Sequence, residues 1–82
     1  MQIDGLTLYS TEGCHLCENA LVLLTQCGLK PQVVDIAFDE QLFSRYGVTI
    51  PVVEFEQSEL SWPFELEELQ QWLKNNGITY HT

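Results

Sequence analysis

Along the chain the apolar residues change period several times, and each change marks an element. Leu6-Thr7-Leu8-Tyr9 is short and apolar and runs into Ser10-Thr11-Glu12-Gly13, which predicts a central strand ending in a loop. Leu16, Ala20, Leu23, Leu24 and Cys27 then recur at helical spacing ahead of Gly28, predicting a helix over 14–27 closed by a left-handed glycine cap. After Pro31, Gln32-Val33-Val34-Asp35-Ile36 has strand composition, and the intervening helix makes it a parallel partner of the first strand. Asp39 caps a short helix through Leu42, Phe43 and Tyr46 that Gly47 ends. Ile50 to Phe55 forms a third strand with Pro51 at its beginning, and Glu56-Gln57-Ser58-Glu59 turns it into a short antiparallel fourth strand, Leu60-Ser61-Trp62. Pro63 suits the first turn of a last helix, whose Leu66, Leu69, Trp72 and Leu73 form a buried stripe before Gly77; the tail from Ile78 to Thr82 is expected to fray. The order βαβαββα predicts an α/β fold, a mixed four-stranded sheet with helices on both faces, in a single domain over 1–82.

At 82 residues and 45% apolar content, one core has to carry this fold. Three Lys and Arg against twelve Asp and Glu give a net charge of -9, which repels phosphate backbones and anionic membranes, and Lys30, Arg45 and Lys74 are scattered. Nucleic acid and membrane are therefore not expected as partners. The start, Met1 to Gly5, lacks the basic and apolar regions of a secretory leader and no long apolar run follows, so the expected compartment is the cytoplasm.

Three cysteines do not make a disulfide framework there, so two of them are read as chemistry. Zinc is poorly served: Cys14, His15, Cys17, Cys27 and His81 offer no second paired spacing, and no metal site is expected. In Cys14-His15-Leu16-Cys17 the two sulfurs stand one helical turn apart, within reach of disulfide geometry. Cys14 lies at the helix start, where unpaired N–H groups favour an anion, and is expected to ionise more readily than a free cysteine. Cys17, deeper in, is expected to be less exposed. Cys14 is thus the nucleophile toward a substrate disulfide and Cys17 the resolving thiol. His15 either bonds the Cys14 thiolate or points into solvent. Cys27 sits on the apolar stripe and reads as an inert core residue. Trp62 and Phe64 read as core beneath the last helix or as exposed contacts for a protein.

The stretches Leu8 to Glu18 and Thr49-Ile50-Pro51-Val52 resemble the small glutaredoxin-like branch of the thioredoxin superfamily, and the resemblance covers nearly the whole chain. It implies that Pro51 is a cis-proline lying across from the nucleophilic cysteine. It also implies that Ile50, with Thr49 beside it, offers backbone to an extended thiol substrate. The chain departs from the C-P-Y-C and C-G-F-S motifs of well-studied glutaredoxins. It also lacks the cationic residue near the first cysteine and the Gly-Gly-x-Asp turn shared by those that use glutathione. Glu12 and Leu60 to Glu65 stand there instead, setting negative charge and bulk where glutathione's carboxylates need donors.

The expected activity is thiol-disulfide exchange with protein or low-molecular-weight disulfides by a monomer with no tightly bound cofactor. Glutathione or thioredoxin reductase is the electron source. The competing expectation is a non-catalytic interaction module or an iron-sulfur carrier between two monomers. Retention of both cysteines favours exchange, because a resolving thiol has no use in a pure binding module.

Overall fold

The computed structural model of the chain describes residues 2–80. Its elements run β1 (Gln2–Ser10), α1 (His15–Gln26), β2 (Lys30–Asp35), a 3-10 turn (Ile36–Phe38), α2 (Glu40–Tyr46), β3 (Val52–Phe55), β4 (Ser58–Ser61) and α3 (Leu66–Asn75). The strands form one mixed sheet in the order β2-β1-β3-β4. β1 and β2 are parallel because α1 returns the chain to the same end between them; β3 and β4 are antiparallel neighbours. The expected α/β architecture is the one observed.

Side-chain alternation in β1 divides the molecule. Leu6 and Leu8 point to the face covered by α1 and α3, where Ala20, Leu24, Cys27, Leu69 and Leu73 close over them and over Val53. Tyr9 points to the opposite face, onto a smaller cluster of Ile36, Tyr46 and Val52 beneath α2. Each fully buried leucine contributes about 1.5–3 kcal/mol, so the larger cluster carries most of the stability. Among the described residues no helix is long and apolar enough to cross a membrane.

Several boundaries differ from the sequence expectation. β1 begins at Gln2 rather than Leu6, and its register with β2 shifts between Gln2 and Thr7, where Gly5 takes φ 88°. β2 begins at Lys30 and includes Pro31, which an edge strand tolerates. Ile36 leaves the strand because the Asp35 carboxylate caps the 3-10 turn, accepting from the Ala37 N–H at 2.9 Å. Pro51 stands just before β3 rather than in it, and the Ile50–Pro51 bond is cis. The hairpin turn is only Glu56 and Gln57, both with positive φ. Ser58 and Glu59 already belong to β4, where Ser58 accepts a hydrogen bond from Trp72 Nε1 at 3.0 Å.

Pro63 is not in the last helix. It follows a cis bond, and α3 starts later, its entry fastened by the Glu68 carboxylate, which accepts from the Glu65 N–H at 3.3 Å. Nor does the tail fray at Ile78. That side chain is buried in the main cluster and its N–H donates to Leu73 O at 2.9 Å; Tyr80 packs beside it, and residues 81–82 lie outside the described residues.

Candidate functional site

Where β1 ends, Gly13 takes φ 78° and turns the chain into Cys14, whose extended backbone caps α1. The cap is made by sulfur: the Cys17 N–H donates to Cys14 Sγ at 3.2 Å. Cys14 is half-buried, Cys17 is 5% exposed, and all three cysteines are free thiols. Burial first, and then the hydrogen bond to Cys14, push the Cys17 thiol from 9.0 up to about 12, against a smaller lowering by a backbone hydrogen bond with Thr11. Cys27, fully buried on the same helix, is raised by burial alone.

The two sulfurs line a groove of about 240 Å³ between α1 and the β2 edge. Ser10 and Leu8 form its floor, Leu21 and Val33 its apolar walls, and Glu12 and Glu18 its acidic members. The sequence expectation missed Ser10, Leu21 and Val33. The Cys14, Glu18, Leu21 recurrence at i, i+4 and i+7 was the available signal for the helix side. Val33 enters because β2 pairs in register with β1, placing Val33 beside Leu8 on the same face.

Leu16 does not join the buried stripe. It is 46% exposed, since the seam against the sheet runs through Cys17, Ala20, Leu24 and Cys27, and Leu16 falls off it. His15 is 92% exposed and its Nδ1 lies 3.5 Å from the Glu18 carboxylate, an ion pair when the imidazole is protonated. On the far flank of α1 a larger groove of about 700 Å³ is lined by Val22, Leu23, Trp62 and Phe64 and includes neither thiol. Phe64 is buried in the core; Trp62 is partly exposed and meets it edge to face at 5.1 Å.

Thr49, Ile50 and Pro51 do not line the thiol groove, but they stand at the same end of the sheet. Val52 pairs with Tyr9, so Pro51 falls one position further on, alongside Ser10. Tyr46 holds this loop: its carbonyl accepts from the N–H groups of Thr49 at 2.9 Å and Ile50 at 3.1 Å. The Ile50 N–H is therefore committed inside the protein. Tyr46 itself is fixed by its ring on Tyr9 and by its hydroxyl, which donates to Glu59; the cross-strand neighbour Glu54 accepts from Tyr9 at 3.1 Å. Arg45 pairs with Glu59 at 3.6 Å. This tyrosine-carboxylate layer was not legible as a unit, because its members come from four elements.

The sequence matches the family profile described as Glutaredoxin-like domain (DUF836) over residues 5–74. The crystal structure of structural-genomics target protein XcR50 from X. campestris is 39% identical, with a TM-score of 0.80, over 85% of this chain and 96% of that one. Its solution structure gives 38% identity and 0.78 over 87% and 94%. Thioredoxin 1 from Thermosipho africanus TCF52B, 17% identical over 93% of both chains with a TM-score of 0.59, shares the fold. No curated protein matches the sequence.

Proposed function

The chain belongs to the glutaredoxin-like domain family (DUF836), and from that premise we propose that it is a thiol-disulfide oxidoreductase with Cys14 as nucleophile and Cys17 as resolving thiol. The observation that carries this reading is the Cys17 N–H directed at Cys14 Sγ across 3.2 Å, in a groove where Cys14 is half-buried and Cys17 is buried. An N–H aimed at sulfur stabilises it as an anion, and the deeper thiol is held in reserve as a neutral acid.

In the proposed cycle the Cys14 thiolate attacks one sulfur of a substrate disulfide. The Cys14–substrate bond forms, the substrate's S–S bond breaks, and its other half leaves as thiolate. Cys17 then attacks Cys14 Sγ, its proton going to the departing substrate thiolate. Two electrons pass to the substrate and the Cys14–Cys17 disulfide remains, to be reduced by glutathione or by thioredoxin reductase. The raised Cys17 thiol keeps the resolver protonated until a mixed disulfide stands beside it. Thr49, Ile50 and Pro51 supply the edge for an extended substrate, and since the Ile50 N–H is bound to Tyr46, that contact falls to the carbonyl. We place the activity in the cytoplasm, where three thiols stay reduced, and in a monomer without a tightly bound cofactor.

The test is equilibration in graded glutathione redox buffers followed by trapping of both cysteines. A reversible Cys14–Cys17 disulfide with a midpoint between about -270 and -120 mV supports the reading, with Cys17→Ser accumulating a mixed disulfide at Cys14. If no intramolecular disulfide forms at any poise, the reading is wrong.

A further inference from the structure

The three basic side chains lie away from the thiols, and the fold shows why. Lys30 opens β2 and pairs with Gln2, at the end of the sheet opposite Ser10. Lys74 is in the last turn of α3, which runs away from the Trp62–Phe64 corner. Arg45 is on the other face, engaged by Glu59 and the Tyr46 ring. The thiol end holds the opposite charge. Glu12 and Glu18 line the groove with Cys14, and Asp35 closes β2 opposite Ser10. His15, the one titratable base beside them among the described residues, is directed at Glu18 rather than into the groove.

Charge alone does not define an occupant; the walls do. Leu21 and Val33 are 38% and 51% exposed, so the groove gives apolar contact next to carboxylates and a reactive sulfur. A long side chain with an aliphatic stem and a cationic head matches that combination, the stem lying on Leu21 and Val33 while the head reaches Glu12 or Glu18. We propose that the groove selects polypeptide disulfides whose cysteine is neighboured by Lys or Arg, with Glu12 and Glu18 as specificity-determining residues. This rests on the oxidoreductase reading and names its substrate class. Disulfides that carry net negative charge, glutathione disulfide among them, are disfavoured at the encounter by the same carboxylates.

The experiment uses the reduced full chain and three symmetrical tripeptide disulfides, Lys-Cys-Lys, Gln-Cys-Gln and Glu-Cys-Glu, blocked at both ends. The rate of mixed-disulfide formation at Cys14 is read by mass spectrometry after acid quench. At about 10 mM ionic strength the cationic disulfide is expected to react at least about tenfold faster than the anionic one, the ratio falling to within about twofold near 0.5 M salt. Glu18→Gln is expected to lower the low-salt ratio severalfold. Glu56→Gln, the same charge change in the hairpin at the other end of the sheet, is expected to leave it unchanged. Equal rates for the cationic and anionic disulfides overturn the substrate assignment and leave the oxidoreductase reading standing. An equal loss of ratio in both variants overturns it too, because the whole-molecule field rather than the groove would then discriminate. If none of the three disulfides reacts at Cys14, the oxidoreductase reading itself fails.

Discussion

The Tyr9 and Tyr46 rings stack with their centroids 4.4 Å apart and their planes 16° from parallel, joining β1 to the end of α2. Their hydroxyls donate to Glu54 and Glu59, two carboxylates directly opposite each other on β3 and β4. Like charges in that position destabilise a hairpin unless donors reach them. Tyr46→Phe keeps the stack and removes one donor, so it is expected to cost about 1–2 kcal/mol, measured as a lower urea midpoint. A variant as stable as the parent would show that Arg45 alone satisfies Glu59.

Alkylation should separate the two thiols. In the native protein near neutral pH, iodoacetamide is expected to modify Cys14 and spare Cys17, whose thiol is buried and pushed up to about 12. The same shift sets a pH dependence. Above 9.0 the unfolded chain gives up a proton that the native state keeps, so stability of the reduced protein falls as pH rises from about 9 to 12. Cys27 and Tyr46, also raised by burial, act in the same direction. Cys17→Ser should flatten the alkaline slope in urea titrations across that range; an unchanged slope would remove Cys17 as its source.

His15 faces Glu18 and solvent, so His15→Ala is expected to change the rate of Cys14 alkylation by less than about twofold. The measurement is a pseudo-first-order rate across pH. A shifted thiolate titration in the variant would bring the imidazole onto the sulfur.

The β3–β4 turn places two residues with side chains in left-handed backbone, Glu56 at φ 48° and Gln57 at φ 71°. Glycine adopts that region without a Cβ clash. Gln57→Gly is therefore expected to stabilise the chain by up to about 1 kcal/mol, after the added freedom of the unfolded glycine is subtracted. Chemical denaturation with an unchanged slope and a higher midpoint is the expected readout; a lower midpoint would mean that Gln57 makes compensating contacts.

What could be read from the sequence was local. The strand and helix periods located all seven main elements, and the C-x-x-C spacing located the thiols at a helix start. Where competing local chemistry decides, the pattern misled. Ile36 looks like strand but the carboxylate cap of the preceding Asp35 turns it into a 3-10 turn, and Pro63 looks like a helix start but stands ahead of one. Leu16 fits the helical stripe on paper, yet the face of α1 that meets the sheet runs through Cys17, Ala20 and Leu24, and Leu16 falls off it. The groove walls depended on strand register. Val33 meets Cys17 in one cavity only because β2 is parallel to β1 and aligned with it at Leu8, a relation no local window contains.

Cys14 Sγ, the proposed attacking atom, is also the acceptor that fastens the first turn of α1. In the proposed cycle each bond from this sulfur to another exchanges the acceptor at the helix cap for a weaker, divalent one. On the proposed reading, the reduction potential and the stability of the helix entrance are two readings of the same equilibrium. A substitution that tightens the reduced cap makes the disulfide a stronger oxidant by the same free energy, even if it never touches a substrate.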